Sequence, residues 1–166
     1  MPHQPDESCE DLLREAGCSE KVITHCRAVR DIALGYAALN AVVRVDLVRE
    51  GSMLHDIGRG ATHTILHAQH GADLLRARGI SEEIARIVEC HTGAGLTADE
   101  CTLLGLLPID CMPGTLEEKI VTNADNLAGG KHRISIEQDL MDAFALPRKT
   151  RRRMFRLWLE MEQFRT

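Results

Sequence analysis

The chain has 166 residues and a net charge of −5, and 44% of its residues are hydrophobic and 27% charged. This length suffices for one folded domain with a sizeable core, and the composition excludes disordered and fibrous proteins. The acidic balance and an aromatic content of 3% argue against a protein whose whole surface attracts nucleic acid, so a phosphate-bearing ligand would have to be held locally.

A helical period recurs in nearly every segment, and no segment alternates for long between apolar and polar residues, which predicts an all-α fold, a compact helical bundle. In chain order, the periods and the capping residues place helices at 8–16, 19–39, 45–57, 65–78, 81–90, from 97, from 115, from 135 and at 147–163. Three starts carry capping boxes, at Thr97, Thr115 and Ser135. We expect a helical segment in residues 1–18, the main domain in 19–145 and an amphipathic helix in 146–166 that packs on the same domain.

The chain contains no stretch that is long and apolar enough for a bilayer, because the most apolar segment, 31–48, is interrupted by Asn40, Arg44 and Asp46. Its acidic N-terminal segment lacks the basic and apolar regions of a signal peptide. These features predict a cytoplasmic protein without a membrane partner. The six cysteines form no C-x-x-C pair, so we expect small buried side chains rather than a zinc or thiol redox motif.

Four ionisable side chains fall on the apolar faces of the predicted helices: His25, His55, Asp56 and Asp125. Any one of them alone is most simply a hydrogen-bonded core residue. Two imidazoles and two carboxylates directed at one interior, however, are costly to bury without a cation. The mixture of nitrogen and oxygen ligands suits Mn, Fe, Co, Ni or Zn better than Ca, so the sequence predicts a site for a divalent transition-metal ion.

The segment 54–59, LHDIGR, resembles the HDIG form of the signature of the HD superfamily of metal-dependent phosphohydrolases. His25, the doublet His55 and Asp56, and Asp125 stand in the order H…HD…D that this superfamily uses for its metal, and the resemblance covers about residues 19–130. It implies a bundle of the HD-domain type. It also implies that the chain hydrolyses a phosphate ester or anhydride of a nucleotide with a metal-activated water.

Two further segments, 66–72 (LHAQHGA) and 89–93 (ECHTG), resemble the subset of the family that binds two metals and includes diadenosine tetraphosphate hydrolases. This resemblance implies that His67 and His91 hold a second ion and that Asp56, as a catalytic ligand, bridges the pair. His91 also continues the apolar face of its helix and is therefore expected to point inward. For His67 the periodicity alone does not choose among the histidines of its helix.

Basic residues near these segments are candidates for binding the phosphate. Arg59 adjoins the HD doublet, and Lys131 lies in the glycine turn 129–133, GGKHR, so both are expected to act in catalysis by neutralising charge on the phosphoryl group. Arg133 and His63 are further candidates for substrate binding, and His63 would protonate a leaving group. A solvated turn and a solvated loop histidine are the plain alternatives.

The run 148–153, RKTRRR, is the one strongly basic segment. We expect a solvated face, with contact to nucleic acid or to an acidic partner left open, although nucleic acid is not the expected substrate. The apolar stripe of the same helix is expected to pack against the body or against a second subunit, which leaves a homo-oligomer open. Two rival functions also remain: a dinuclear iron oxygenase of HD type and a non-catalytic nucleotide-sensing module.

Overall fold

The computed structural model describes residues 5–165, and within them the predicted all-α bundle is confirmed. His3, to which no role is assigned, lies outside the described residues. The helices and strands are, in chain order, α1 (Asp6–Glu15), α2 (Glu20–Ala37), α3 (Val45–Leu54), α4 (His67–Ala77), α5 (Glu82–Cys90), α6 (Ala98–Leu103), α7 (Leu116–Asn126), β1 (Ala128–Gly129), β2 (His132–Arg133), α8 (Ile136–Asp142) and α9 (Arg148–Glu162). Short 3-10 turns lie between α3 and α4 (Ile57–Gly60), between α8 and α9 (Ala143–Ala145) and after α9 (Gln163–Arg165).

The helix starts agree with the capping residues in the sequence. Side-chain oxygens accept a hydrogen bond from a backbone N–H of the first turn at Ser19, Ser81, Thr97, Thr115 and Ser135. The capping boxes at Thr97 and Thr115 are complete. At Ser135 the helix also begins as predicted, but the Gln138 side chain donates to Asp142.

One local prediction is wrong. The helix predicted for 45–57 ends at Leu54, and the chain continues through a 3-10 turn at Ile57–Gly60. This turn packs so closely on α4 that a Cβ atom built on Gly58 would lie 1.9 Å from the carbonyl oxygen of His67. The glycine turn expected in 129–133 is present, and it joins the two strands of a small antiparallel hairpin, β1 and β2, with Gly130 at φ of 69°.

A large apolar core connects most of the helices, and a smaller apolar cluster contains Cys90, Cys101, Leu106 and Cys111. Helix α2 packs against α3 and α7, while α5 packs against α3 and α4. The core also includes Met154, Leu157 and Met161 of α9, so the C-terminal helix packs on the main body through its predicted apolar stripe. All six cysteines are buried and free, as predicted. Among the helices of residues 5–165, none has the length and apolar character needed to cross a membrane.

Candidate metal centre

Six polar side chains from different parts of the chain converge inside the bundle. They are His25 within α2, His55 and Asp56 directly after α3, His67 at the first position of α4, His91 directly after α5, and Asp125 in the last turn of α7. The four at the ends of α3, α4 and α5 are at most 4% exposed. About a fifth of the His25 and Asp125 side chains is exposed, so solvent reaches the cluster from their side.

Backbone carbonyl groups orient the four imidazoles. Each ring places Nδ1 within hydrogen-bond distance of a backbone carbonyl oxygen, and three of these carbonyls lie three residues earlier in the chain. The pairs are His25 with Gly130 (3.3 Å), His55 with Ser52 (2.7 Å), His67 with Thr64 (2.8 Å) and His91 with Val88 (2.6 Å). Since a carbonyl can only accept, each Nδ1 carries the proton, and in the neutral ring Nε2 presents a lone pair to the cluster. This is the orientation of metal-ligating histidines in general.

One group of ligand atoms surrounds a carboxylate oxygen of Asp125. The Oδ1 atom of Asp125 lies 3.0 Å from Nε2 of His25 and 3.4 Å from Nε2 of His55. The Oδ2 atom of Asp56 lies 3.9 Å and 3.8 Å from the same two nitrogens. The ligand atoms of His25, His55 and Asp125 all lie within 4.8 Å of one another, which is compatible with one shared cation.

The other oxygen of Asp56 faces a second pair of imidazoles. Its Oδ1 atom lies 3.2 Å from Nε2 of His67 and 3.5 Å from Nε2 of His91, and these two nitrogens are 3.1 Å apart. With both Nδ1 protons donated to carbonyls, two lone pairs face each other at that distance. The buried Nε2 of His55 and Oδ1 of Asp56 have no hydrogen-bond partner. A cation would satisfy both orphaned atoms and separate the lone pairs, so the donor set fits a metal.

The electrostatics favour the protonation states that a cation needs. Burial alone would raise the pKa of Asp56, but the charge of His55 and the neighbouring imidazoles of His67 and His91 hold it well below its usual range. The pKa of Asp125 is lowered against its burial as well, by His55 and His25. Burial lowers the pKa of His91, which keeps this ring neutral.

The pKa of His55 is shifted in the opposite direction to that of His91. Its burial alone would lower the pKa, but the charge of Asp56 raises the pKa of His55 well above its usual value. A proton on Nε2 of His55 and a metal ion would therefore compete for the same lone pair.

The four other predicted site residues do not share one location in the structure. Arg59 adjoins the cluster, because its Nε donates to Oδ2 of Asp56 at 2.7 Å and about a third of its side chain is exposed. Lys131 is exposed in the hairpin turn, one residue after the Gly130 carbonyl that orients His25. Arg133 instead donates to the hydroxyl of Tyr36 at 3.1 Å, and His63 is exposed in the loop before α4.

Asp139 is a buried acid that the sequence analysis did not single out. It lies on α8, is 8% exposed, and its Oδ2 atom has no hydrogen-bond partner. Burial, and then the charges of Asp125 and Asp142, raise the pKa of Asp139 to about 7. The signal was present in the sequence, because Asp139 follows the apolar Ile136 by three residues and so shares its buried face.

Comparison with known proteins agrees with this geometry. Residues 22–130 match the family described as HD domain, a span that includes all six residues of the cluster. An uncharacterized protein of Methanocaldococcus jannaschii is 49% identical over 124 residues, which cover 72% of this chain and 73% of that protein. No solved structure matches the chain significantly.

Other relatives are longer proteins. The tRNA (cytidine(56)-2'-O)-methyltransferase of Thermoplasma volcanium is 43% identical over 135 residues, or 81% of this chain, but the match spans only 40% of that enzyme. Ribonuclease Y of Fervidobacterium nodosum is 36% identical over 76 residues, which cover 45% of this chain and 14% of the ribonuclease. These matches therefore concern a part of each relative.

Proposed function

Because the chain belongs to the HD domain family, we propose that it is a metal-dependent phosphohydrolase that cleaves a phosphate ester or anhydride of a nucleotide. The observation that carries this proposal is the position of Asp56. Its two carboxylate oxygens face two separate groups of imidazole nitrogens, with Oδ2 toward His25 and His55 and Oδ1 toward His67 and His91. A carboxylate in this position is suited to bridge two ions.

The proposed first ion is held by His25, His55, Asp56 and Asp125. The proposed second ion is held by His67 and His91, with Asp56 shared. Four imidazole nitrogens and two carboxylates form a donor set for Mn, Fe, Co, Ni or Zn. Bound divalent ions supply hydroxide at neutral pH, by lowering the pKa of water from about 15.7 to about 7, and stabilise the charge on phosphoryl oxygens.

The residues around the cluster provide orientation and charge. Arg59 holds Oδ2 of Asp56 through Nε, and the structure gives its Nη groups no partner among the described residues. These groups are free to donate to a phosphoryl oxygen, as guanidinium groups commonly do. Lys131, in the exposed hairpin turn, is proposed to approach the same phosphate, and Arg133 and His63 remain proposed substrate contacts.

The names of two kinds of relatives bear on the substrate. The methyltransferase and the ribonuclease are named for action on RNA, whose phosphates belong to nucleotide units. This agrees with a nucleotide phosphate as the substrate. Their own activities are not transferred to this chain, since the matches span 40% and 14% of those proteins.

The test is hydrolysis after loading with each of the five candidate metals. Purified protein is assayed with bis(p-nitrophenyl) phosphate and with a panel of nucleotides, and Asp56→Asn is compared with Asp46→Asn, which changes an exposed aspartate outside the cluster. We expect hydrolysis with at least one metal, a loss of about 100-fold or more in Asp56→Asn, and no loss in Asp46→Asn. Oxygen uptake by the iron-loaded protein without phosphate release, or equal activity of both variants, would contradict the proposal.

A further inference from the structure

Helix α9 carries two different stripes. One stripe is apolar and lies in the core through Met154, Leu157 and Met161. The other runs along positions i, i+3, i+4, i+7 and i+8, and together with Leu140 of α8 it lines a cavity of about 360 Å³. Its members, here called the arginine surface, are Arg148, Arg151, Arg152, Phe155 and Arg156. Polar residues at this spacing are normal on the face opposite an apolar stripe, so what distinguishes this face is the state of its charges.

The charges of this surface are not compensated by the protein. Within residues 5–165, none of its four arginines lies at salt-bridge distance from an acidic side chain. The other two basic residues of the run do have a partner, because Lys149 and Arg153 both pair with Glu100, at 3.4 Å and 2.9 Å. Four unpaired guanidinium groups on one face of a chain with net charge −5 form a local site for a polyanion.

Aromatic rings accompany these arginines. Phe155 is 40% exposed and stacks on Trp158, with ring centroids 5.6 Å apart. Phe144 is 75% exposed, and the guanidinium of Arg151 lies 5.1 Å from its ring centroid. Exposed rings beside a basic groove are what proteins use to stack the bases of single strands, while guanidinium groups bind the phosphates in a bidentate manner.

The arginine surface begins close to the metal centre. In the first turn of α9, the methyl group of Thr150 lies 3.6 Å from the position that a Cβ on Gly93 would occupy. Gly93 follows His91 by two residues, and its carbonyl accepts a hydrogen bond of 2.6 Å from Asn126, the neighbour of Asp125. Thr150 therefore contacts the loop that follows the proposed metal ligand His91, and Arg148 and Arg151 lie within one turn of Thr150.

We propose that the arginine surface binds a single-stranded polynucleotide and guides it to the metal centre, so that the phosphate to be cleaved belongs to a strand. The second half of this statement rests on the proposed function. A membrane is a poorer fit, because the apolar stripe of α9 is buried in the core and the exposed face of the helix carries mainly arginines. The expectation against nucleic acid came from the charge and aromatic content of the whole chain, whereas four arginines and two exposed phenylalanines are concentrated here.

The test measures binding with the full chain freed of metal, so that nothing is cleaved. A fluorescein-labelled 12-nucleotide uridine RNA and the matching deoxyribonucleotide strand are titrated by anisotropy between 50 and 200 mM salt, with polyglutamate as an acidic competitor. The variant Arg152→Gln/Arg156→Gln is compared with Lys21→Gln/Arg78→Gln, which removes the same charge from exposed positions outside α9.

We expect the α9 variant to weaken strand binding by about tenfold or more near 0.1 M salt and to lower the salt slope by about 1.4, which corresponds to two lost phosphate contacts. The matched variant should bind like the wild type, and both should keep the hydrolysis of bis(p-nitrophenyl) phosphate. Comparison of the two strands shows whether RNA or DNA is the ligand.

Equal weakening in both variants, unchanged binding in the α9 variant, or stronger binding of polyglutamate than of either strand overturns the proposal. These results are distinguishable from a failure of the proposed function. In that case the wild-type protein would hydrolyse no small phosphate ester with any metal, while the binding titration would still decide what the arginine surface does.

Discussion

At the scale of single residues, Asp139 shows how the cluster affects its surroundings. It is a buried carboxyl group with a pKa raised to about 7, by burial first and then by the charges of Asp125 and Asp142. In the unfolded chain the same group ionises near its usual pKa of about 4. The unfolded state therefore loses this proton at lower pH than the folded state does, so Asp139 lowers stability as pH rises from about 4 to about 7, and its cost is constant above that.

We expect Asp139→Asn to raise the melting temperature of the metal-free protein relative to the wild type, and to raise it more at pH 8 than at pH 5. Each unit by which the folded and unfolded pKa values differ contributes about 1.4 kcal/mol once the group is ionised in both states. Thermal unfolding at the two pH values measures the effect, with Asp99→Asn as the exposed control. An identical shift at pH 5 and pH 8 would show that the group does not titrate in this range.

The sequence predicted four of the six cluster residues from their position on apolar faces. His91 and His67 came from the resemblance, and of these two only His91 was also supported by the apolar face of its helix. The period could not separate His67 from His63 and His70, because the spacing of all three fits one side of a helix. The structure separates them through tertiary packing, because α4 begins at His67 and buries it while the other two remain exposed. The carbonyl groups that accept from the imidazole rings could not be predicted from the sequence either, since their positions depend on where the helices and turns end.

At the scale of elements, the 3-10 turn after α3 fixes the distance between the HD doublet and α4. Gly58 makes this approach feasible, since any side chain there would meet the backbone at His67 and at Gly71. The helical periodicity predicted that α3 continues through this turn, because a close approach between two segments does not change the spacing of apolar residues in the sequence. The helix starts, in contrast, were predictable, since their capping residues act within one turn.

Gly58→Ala should destabilise the protein by about 3 kcal/mol and displace His67, since the new methyl group would lie 1.9 Å from the His67 carbonyl oxygen. Denaturant unfolding measures the loss. Gly35→Ala is the matched control, because a Cβ on Gly35 meets nothing within 4 Å, and there alanine should stabilise α2 by about 0.5 to 1 kcal/mol. Equal effects of the two substitutions would refute the close packing of this turn.

At the scale of the whole molecule, the proposed metal centre connects α2, α3, α4, α5 and α7. Because the ligand atoms of these five helices face one another, and two of them have no hydrogen-bond partner, a bound ion should stabilise the folded chain as a whole. A ligand at 100 times its dissociation constant contributes about 2.7 kcal/mol. The fold class followed from periodicity, whereas the sequence left open whether the apolar stripe of α9 packs against the body or a second subunit, and the structure shows it in the core. The role of the arginine surface did not follow from the sequence, since it depends on which charges remain unpaired after folding.

Removal of metal with a chelator should therefore lower the melting temperature of the wild-type protein, and addition of Mn²⁺ should restore it. The variant Asp56→Asn should melt at the same temperature with and without the ion, since it lacks the bridging carboxylate. Differential scanning calorimetry provides the measurement. A wild-type melting temperature that changes with neither the chelator nor the added metal would exclude stabilisation of the fold by a bound metal.

If Asp56 bridges two ions, the metal content per chain after loading and removal of unbound ions should show both. We expect about two ions in the wild type, about two in His70→Ala, which changes an exposed histidine of the same helix, and about one in His67→Ala. Steeply reduced hydrolysis should accompany the loss of the second ion. An unchanged metal content in His67→Ala, or a single ion in the wild type, would contradict the two-ion centre.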